Sequence, residues 1–122
     1  MIKYFSLIFL GGGFGSVFRA LVSYHSQKMW SYKSFPFGTF LVNILGCFLI
    51  GYFLQFFSKN TDWARPLLLI GFCGGFTTFS TFSVESWVLW KSGNYFIMCL
   101  YVLLSLLFGF VLLLLGTQLA KT

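Results

Sequence analysis

Four long apolar runs, separated by short polar stretches, account for most of the chain: about residues 4–24, 35–57, 66–90 and 95–120. Each is long enough for a bilayer-crossing helix, which needs ~20 apolar residues. The pattern therefore predicts an all-α membrane protein, one domain over residues 1–122, with four transmembrane helices per subunit. The first run contains a single charge, Arg19, and the third contains Glu85 near its end; the second and fourth contain none. Trp30, Trp63, Trp87 and Trp90 fall near the ends of the runs, where indole rings favour the membrane interface. The connections at 25–34, 58–65 and 91–94 are too short for a soluble catalytic domain.

Composition strengthens this picture. Hydrophobic residues make up 58% of the 122 positions and charged residues 8%, against roughly 25% charged in soluble domains. Bilayer lipid accepts apolar surface that water would not. The net charge of +6 does not point to nucleic acid, because the eight basic residues are scattered among span ends without a cluster or stripe. The N-terminal stretch is not a signal peptide by pattern: it runs too long, and Arg19 stands where a small-residue cleavage site belongs. Cys47, Cys73 and Cys99 lie far apart within apolar runs, which reads as reduced packing thiols.

The basic residues also bear on orientation. Lys3, Lys59, Arg65 and Lys121 fall on the side of the N-terminus; Lys28, Lys33, Lys91 and Arg19 fall on the other. The positive-inside rule then selects neither orientation. Two readings remain: dual topology, with copies inserted both ways, or a connection assigned to the wrong side.

The third run carries the most chemical information. Its segment Gly71-Phe-Cys-Gly-Gly-Phe-Thr-Thr-Phe-Ser-Thr-Phe-Ser83 is a poor continuous helix. Gly74 and Gly75 together cost ~2 kcal/mol relative to alanine, and Thr77, Thr78 and Thr81 add smaller penalties. An unwound stretch in a membrane is tolerated only where it is buried in protein or lines an aqueous site. The segment predicts an inward-facing helix break at about Gly74 to Thr78; a straight helix with close-packing glycines is the other reading. Phe79 and Phe82 share a face after the break, and phenyl edges are electropositive. Ser80, Thr81 and Ser83 add hydroxyl donors.

Polar residues elsewhere are few. Asn43 sits mid-span with Thr39 four residues before it, either lining a pore or joining helices by a hydrogen bond. Tyr101 and Ser105, also four apart, define one stripe of the fourth span. Gly11, Gly12, Gly13 and Gly15 make the first span smooth enough for close helix contact. Arg19 and Glu85 either pair or each reach an interface. His25 is the single histidine, and the sequence shows no metal-ligand cluster, no phosphate loop and no nucleophile with a base, so the chain is not read as an enzyme.

At these residues the sequence resembles the Fluc (CrcB) fluoride channels. Gly71 to Phe82 is similar to that family's signature, and Gly11-Gly-Gly-Phe-Gly-Ser-Val-Phe-Arg19, Gly38-Thr-Phe-Leu-Val-Asn43 and Ser83-Val-Glu85 agree in order and spacing. The resemblance implies a passive fluoride channel in a bacterial plasma or inner membrane, exporting fluoride from the cytoplasm. It further implies a dual-topology antiparallel homodimer with two pores and a central structural sodium ion. Phe79 and Phe82 would present ring edges to fluoride and Asn43 a hydrogen bond. Ser80 and Thr81 would form one polar track, Tyr101 and Ser105 another, with Thr39 beside Asn43. The carbonyls of Gly74 and Thr77 would bind sodium, and Arg19 would sit at a vestibule or hold structure there, with Glu85 of the same kind. Phe76 is bulkier than the pattern leads one to expect, and Gly109 stands where span 4 had room for another hydroxyl.

The physics of the ion agrees with that donor set. Fluoride is small and strongly hydrated, so a pore must replace water with several donors at once; uncharged donors do so without holding the ion too tightly to leave. Two other functions are compatible with four short spans. A small multidrug transporter needs a membrane-embedded carboxylate in the first span, where this chain has Arg19 and no acid. An accessory subunit without transport would need neither the glycine break nor the clustered hydroxyls.

Overall fold

The computed structural model of the chain describes residues 1–29, 34–57 and 62–121. Trp30, Lys33 and Lys59 therefore lie outside the described residues. Helix α1 covers Ile2–Met29 and α2 covers Phe37–Phe56. The third span begins as a widened, π-helical stretch over Arg65–Cys73 and continues as the short α3, Gly74–Phe76. It resumes as α4, Phe79–Lys91, and α5 follows over Tyr95–Lys121. Four helical stretches, the third taken as Arg65–Lys91, are long and apolar enough to cross a membrane.

Helix α1 runs beyond the stretch 4–24 seen in the sequence pattern. Its 28 residues span about 42 Å at 1.5 Å per residue, more than the ~30 Å hydrocarbon core. The extra turn has a use. Gln27 reaches across to α2, where its Oε1 accepts from the Gly38 amide (3.1 Å) and its Nε2 donates to the Phe35 carbonyl (3.4 Å). This satisfies one of the amides that any helix start leaves open, on a helix whose own cap, Pro36, makes no side-chain cap bond. The turn between α4 and α5 closes on Gly93, whose φ of 82° is left-handed backbone that suits glycine.

Lipid supplies no hydrophobic drive between helices, so association depends on close backbone approach. Two glycine seams provide it. On α1, Gly11 lies against Leu67, Gly71 and Phe72, and Gly15 against Phe72 and Phe76; on the third span, Gly75 lies against Gly12. Four-residue spacing on both helices (Gly11 with Gly15, Gly71 with Gly75) keeps the small residues on one stripe of each. Gly51 and Gly116 do the same between α2 and α5, lying against Leu113 and Phe48 respectively. A side chain at any of these positions would meet backbone. The molecule is thus two helix pairs, α1 with the first half of span 3 and α2 with α5, joined through α2.

Most large apolar side chains point away from the bundle, among them Phe5, Phe9, Phe96 and Phe110. The small interior cluster holds Phe35, Leu89 and Tyr101, with Phe40 and Phe82 packed against it.

Candidate functional site

Helical backbone angles stop at Thr77 (φ −85°, ψ 157°) and Thr78 (φ −149°, ψ 117°), both extended. Asn43 of α2 attends this link directly. Its Oδ1 accepts from the Thr78 amide at 2.8 Å and its Nδ2 donates to the Thr78 carbonyl at 3.1 Å. One side-chain amide therefore satisfies both backbone groups of a residue outside any helix, as buried backbone requires. The Thr78 hydroxyl begins α4: it accepts from the Thr81 amide (3.2 Å), donates to Thr81 Oγ1 (3.0 Å) and lies 3.4 Å from Ser80 Oγ. Thr77 folds back, with both its amide (3.0 Å) and its hydroxyl (2.9 Å) donating to the Cys73 carbonyl.

These diversions free two carbonyls. In a continuous helix the Thr78 amide would bond the Gly74 carbonyl, and the Thr81 amide the Thr77 carbonyl. Asn43 and the Thr78 hydroxyl take those amides instead. A Cβ built on Gly74 would meet nothing within 4 Å, so this turn faces open space beyond the subunit.

Beside the link lies an open groove of ≈ 290 Å³, lined by Asn43, Cys47, Thr78, Phe79, Phe82 and Ser105 among others. The Phe79 and Phe82 rings stand 6.0 Å apart and tilted by 37°. Phe82 continues onto the Tyr101 ring at 5.0 Å. Phe79 is 80% exposed, so the groove is open on that side. Ser105 is the informative polar group: among the described residues its Oγ is buried without a hydrogen-bond partner. Helical hydroxyls commonly bond back to the preceding turn, as Ser86 does to the Phe82 carbonyl at 2.8 Å. Ser105 keeps its donor unspent, with its Oγ shielded from solvent beside the groove.

At one end of the bundle a second, polar groove of ≈ 460 Å³ is lined by residues including Ser23, Gln27, Glu85, Ser92 and Asn94. Glu85 lines this polar groove, its Oε1 accepting from the Tyr101 hydroxyl at 3.1 Å. Thr39, buried, belongs to the same hydrogen-bonded cluster.

The comparisons with known proteins fall on this geometry. The family model described as "CrcB-like protein, Camphor Resistance (CrcB)" matches residues 6–117. The chain belongs to the CrcB family. Within it, the chain is 47% identical over 123 residues to a protein of Phocaeicola vulgatus named "Fluoride-specific ion channel FluC", covering 98% of this chain and 100% of the relative. Proteins of the same name from Azobacteroides pseudotrichonymphae and Bacteroides fragilis are 42% and 46% identical, each covering at least 93% of both chains. With four helices of membrane-crossing length, this CrcB-family chain is a multi-pass membrane protein.

The candidates named in the sequence separate into distinct places. Asn43, Phe79, Phe82 and Ser105 meet at one groove. Ser80 and Thr81 are instead bonded to the Thr78 hydroxyl at the start of α4. Tyr101 has no exposed surface and is bonded to Glu85, so it backs the groove without lining it. Thr39 goes with Glu85 and Tyr101. Arg19 and Glu85 form no ion pair among the described residues; Glu85 takes hydrogen bonds from Tyr101 and Thr39. The bulk of Phe76 is accommodated: its ring stacks on Phe72 at 5.8 Å and 11°, and Gly46 leaves room for Phe76 and Thr77. At Gly109 an added Cβ would stand 3.4 Å from Cys47 Sγ, so a cysteine on α2 fills the space where a hydroxyl was looked for.

Sequence reasoning placed Thr78 at the end of the predicted break but missed its part as the residue on which Asn43 and α4 both converge. The signal was present as a β-branched hydroxyl residue just before an aromatic-rich helix, the pattern of an N-cap. Cys47 was read as packing alone, yet it shares the groove; nothing in its local pattern marks that.

Proposed function

We propose that the protein is a fluoride-selective passive channel that lets fluoride leave the cytoplasm, and that the groove beside Thr78 is half of its pore. The observation that carries this reading is the convergence, on one groove, of an unspent hydroxyl (Ser105), a side-chain amide (Asn43) and two phenyl rings. Asn43 spends one Nδ2 hydrogen on the Thr78 carbonyl; its second remains for an ion. Phenyl edges add electropositive contact without a full charge. A fluoride ion leaving water at this groove meets replacements for its hydration, none of which binds it irreversibly. The relatives named fluoride-specific channels, similar over nearly their whole length, support the choice of ion.

A pore with one open wall cannot carry an anion past lipid. The open side at Phe79 and the open space at Gly74 support a second copy of the chain as the closing surface. The even split of basic residues, four on each side, supports an antiparallel arrangement, with two pores per dimer. In this reading the third span acts as a broken helix whose extended link, Thr77 and Thr78, faces the permeation path.

A sodium ion at the dimer centre fits the donors present. The Gly74 and Thr77 carbonyls are hard oxygen ligands released from their helical bonds, and two copies supply four of them. When bound, the ion would add positive potential near the pores without blocking either.

The test is fluoride efflux from potassium-loaded liposomes containing the purified protein, with valinomycin present and a fluoride electrode outside. Rapid fluoride release without matching chloride release is the expected result. Absence of release from folded protein would overturn the channel reading and leave the accessory role.

A further inference from the structure

At the end of the bundle where α1 and the third span both begin lies a separate groove of ≈ 290 Å³, lined by Lys3, Tyr4, Leu7, Asp62, Trp63 and Pro66. It takes no part in the proposed pore. Its position is that of the membrane interface, because Ile2 and Arg65 are the first residues of two membrane-crossing stretches. Tyr4 and Trp63 are partly exposed there, at the level where amphipathic rings sit among lipid headgroups.

The charges in this groove are of both signs: Lys3 and the terminal ammonium of Met1, which also lines it, are cationic, and Asp62 is anionic. Lys3 and Asp62 face it together, yet among the described residues they do not meet in an ion pair. Opposite charges sharing a cleft without touching leave space for a ligand that carries both signs itself. We propose that the groove binds the headgroup of phosphatidylethanolamine, its phosphate at Lys3 and its ammonium at Asp62, with the acyl chains running down past Leu7. A primary ammonium offers Asp62 hydrogen bonds. A choline headgroup has the charge but no N–H, and a glycerol headgroup has no positive charge. The groove thus discriminates among common headgroups, which a plain basic patch attracting anionic lipid would not.

Native mass spectrometry of the full chain tests this, using micelles doped with equal amounts of dioleoyl phosphatidylethanolamine, phosphatidylcholine and phosphatidylglycerol. The expected result is retention of phosphatidylethanolamine over either competitor by about five-fold, the ratio for roughly 1 kcal/mol, from the ammonium charge against phosphatidylglycerol and from its N–H hydrogen bond against phosphatidylcholine. Asp62→Asn should remove the preference over phosphatidylglycerol, and Lys3→Gln should weaken retention of both. Both positions are exposed, so neither change threatens folding. Equal retention of the three lipids, preference for phosphatidylglycerol, or an unchanged preference in Asp62→Asn would each overturn the proposal. The readout is bound lipid mass, so its outcome is independent of whether fluoride flows.

Discussion

At the residue scale, Asn43 and Ser105 line the same groove and do opposite things for the fold. Asn43 is structural as well as polar: it holds both backbone groups of Thr78. Asn43→Ala strands a buried amide and a carbonyl, at about 1–3 kcal/mol each. The variant is expected to unfold at visibly lower temperature in detergent and to lose fluoride efflux. Ser105 contributes no protein hydrogen bond, so Ser105→Ala should leave the unfolding temperature unchanged or slightly higher while slowing efflux. If Ser105→Ala destabilises the protein without affecting efflux, the hydroxyl belongs to packing and not to permeation. Thr78→Val removes the cap of α4 and should cost about 1 kcal/mol, recovered by Thr78→Ser.

At the scale of elements, the extended link at Thr77 and Thr78 is held because its two amides and the Thr78 carbonyl have partners in α2 and in the preceding turn. The pairing of α1 with the first half of the span positions Gly74 and Thr77; the pairing of α2 with α5 brings Asn43 and Ser105 to them. The two glycine seams decide these placements. Gly15→Leu would drive a side chain into the Phe72 carbonyl and the Phe76 amide, and is expected to prevent recovery of folded protein. Gly13, two residues earlier, has nothing within 4 Å of an added Cβ. Gly13→Ala should therefore fold as well as the parent or better, since alanine is the stronger helix former. Equal yields of the two variants by size-exclusion chromatography would contradict the seam.

For the whole molecule, the proposed half-pore has its open side at Phe79 and at Gly74. In the proposed antiparallel dimer, Gly74 faces the partner. Gly74→Trp should then leave the subunit helical and folded, because Gly74 is exposed and an added Cβ there meets no atom of its own chain within 4 Å, while abolishing dimers counted by single-molecule photobleaching in liposomes. Efflux should disappear with the dimer. Dimers that persist in Gly74→Trp would place the interface elsewhere. Dual insertion has its own check: two lysines added to the 92–94 turn should bias topology reporters to one orientation and lower efflux in proportion.

The four membrane-length helices were legible in the amino-acid order, as was the glycine–threonine run in the third that argues for the proposed break. Hydrophobic run length and glycine–threonine content are local properties, and they act locally. Membership of the CrcB family was legible too, because its motifs are contiguous strings. Tertiary structure alone decided which polar groups are spent and which are available. Ser80, Thr81 and Ser105 are chemically alike in the sequence, but the first two are bonded to the Thr78 hydroxyl and the third is not. Asn43 had two open readings, pore lining and helix joining; its side chain lines the groove and also clamps Thr78. That distinction depends on hydrogen bonds between residues 35 apart in sequence, whose partners are set by helix packing and not by neighbours along the chain.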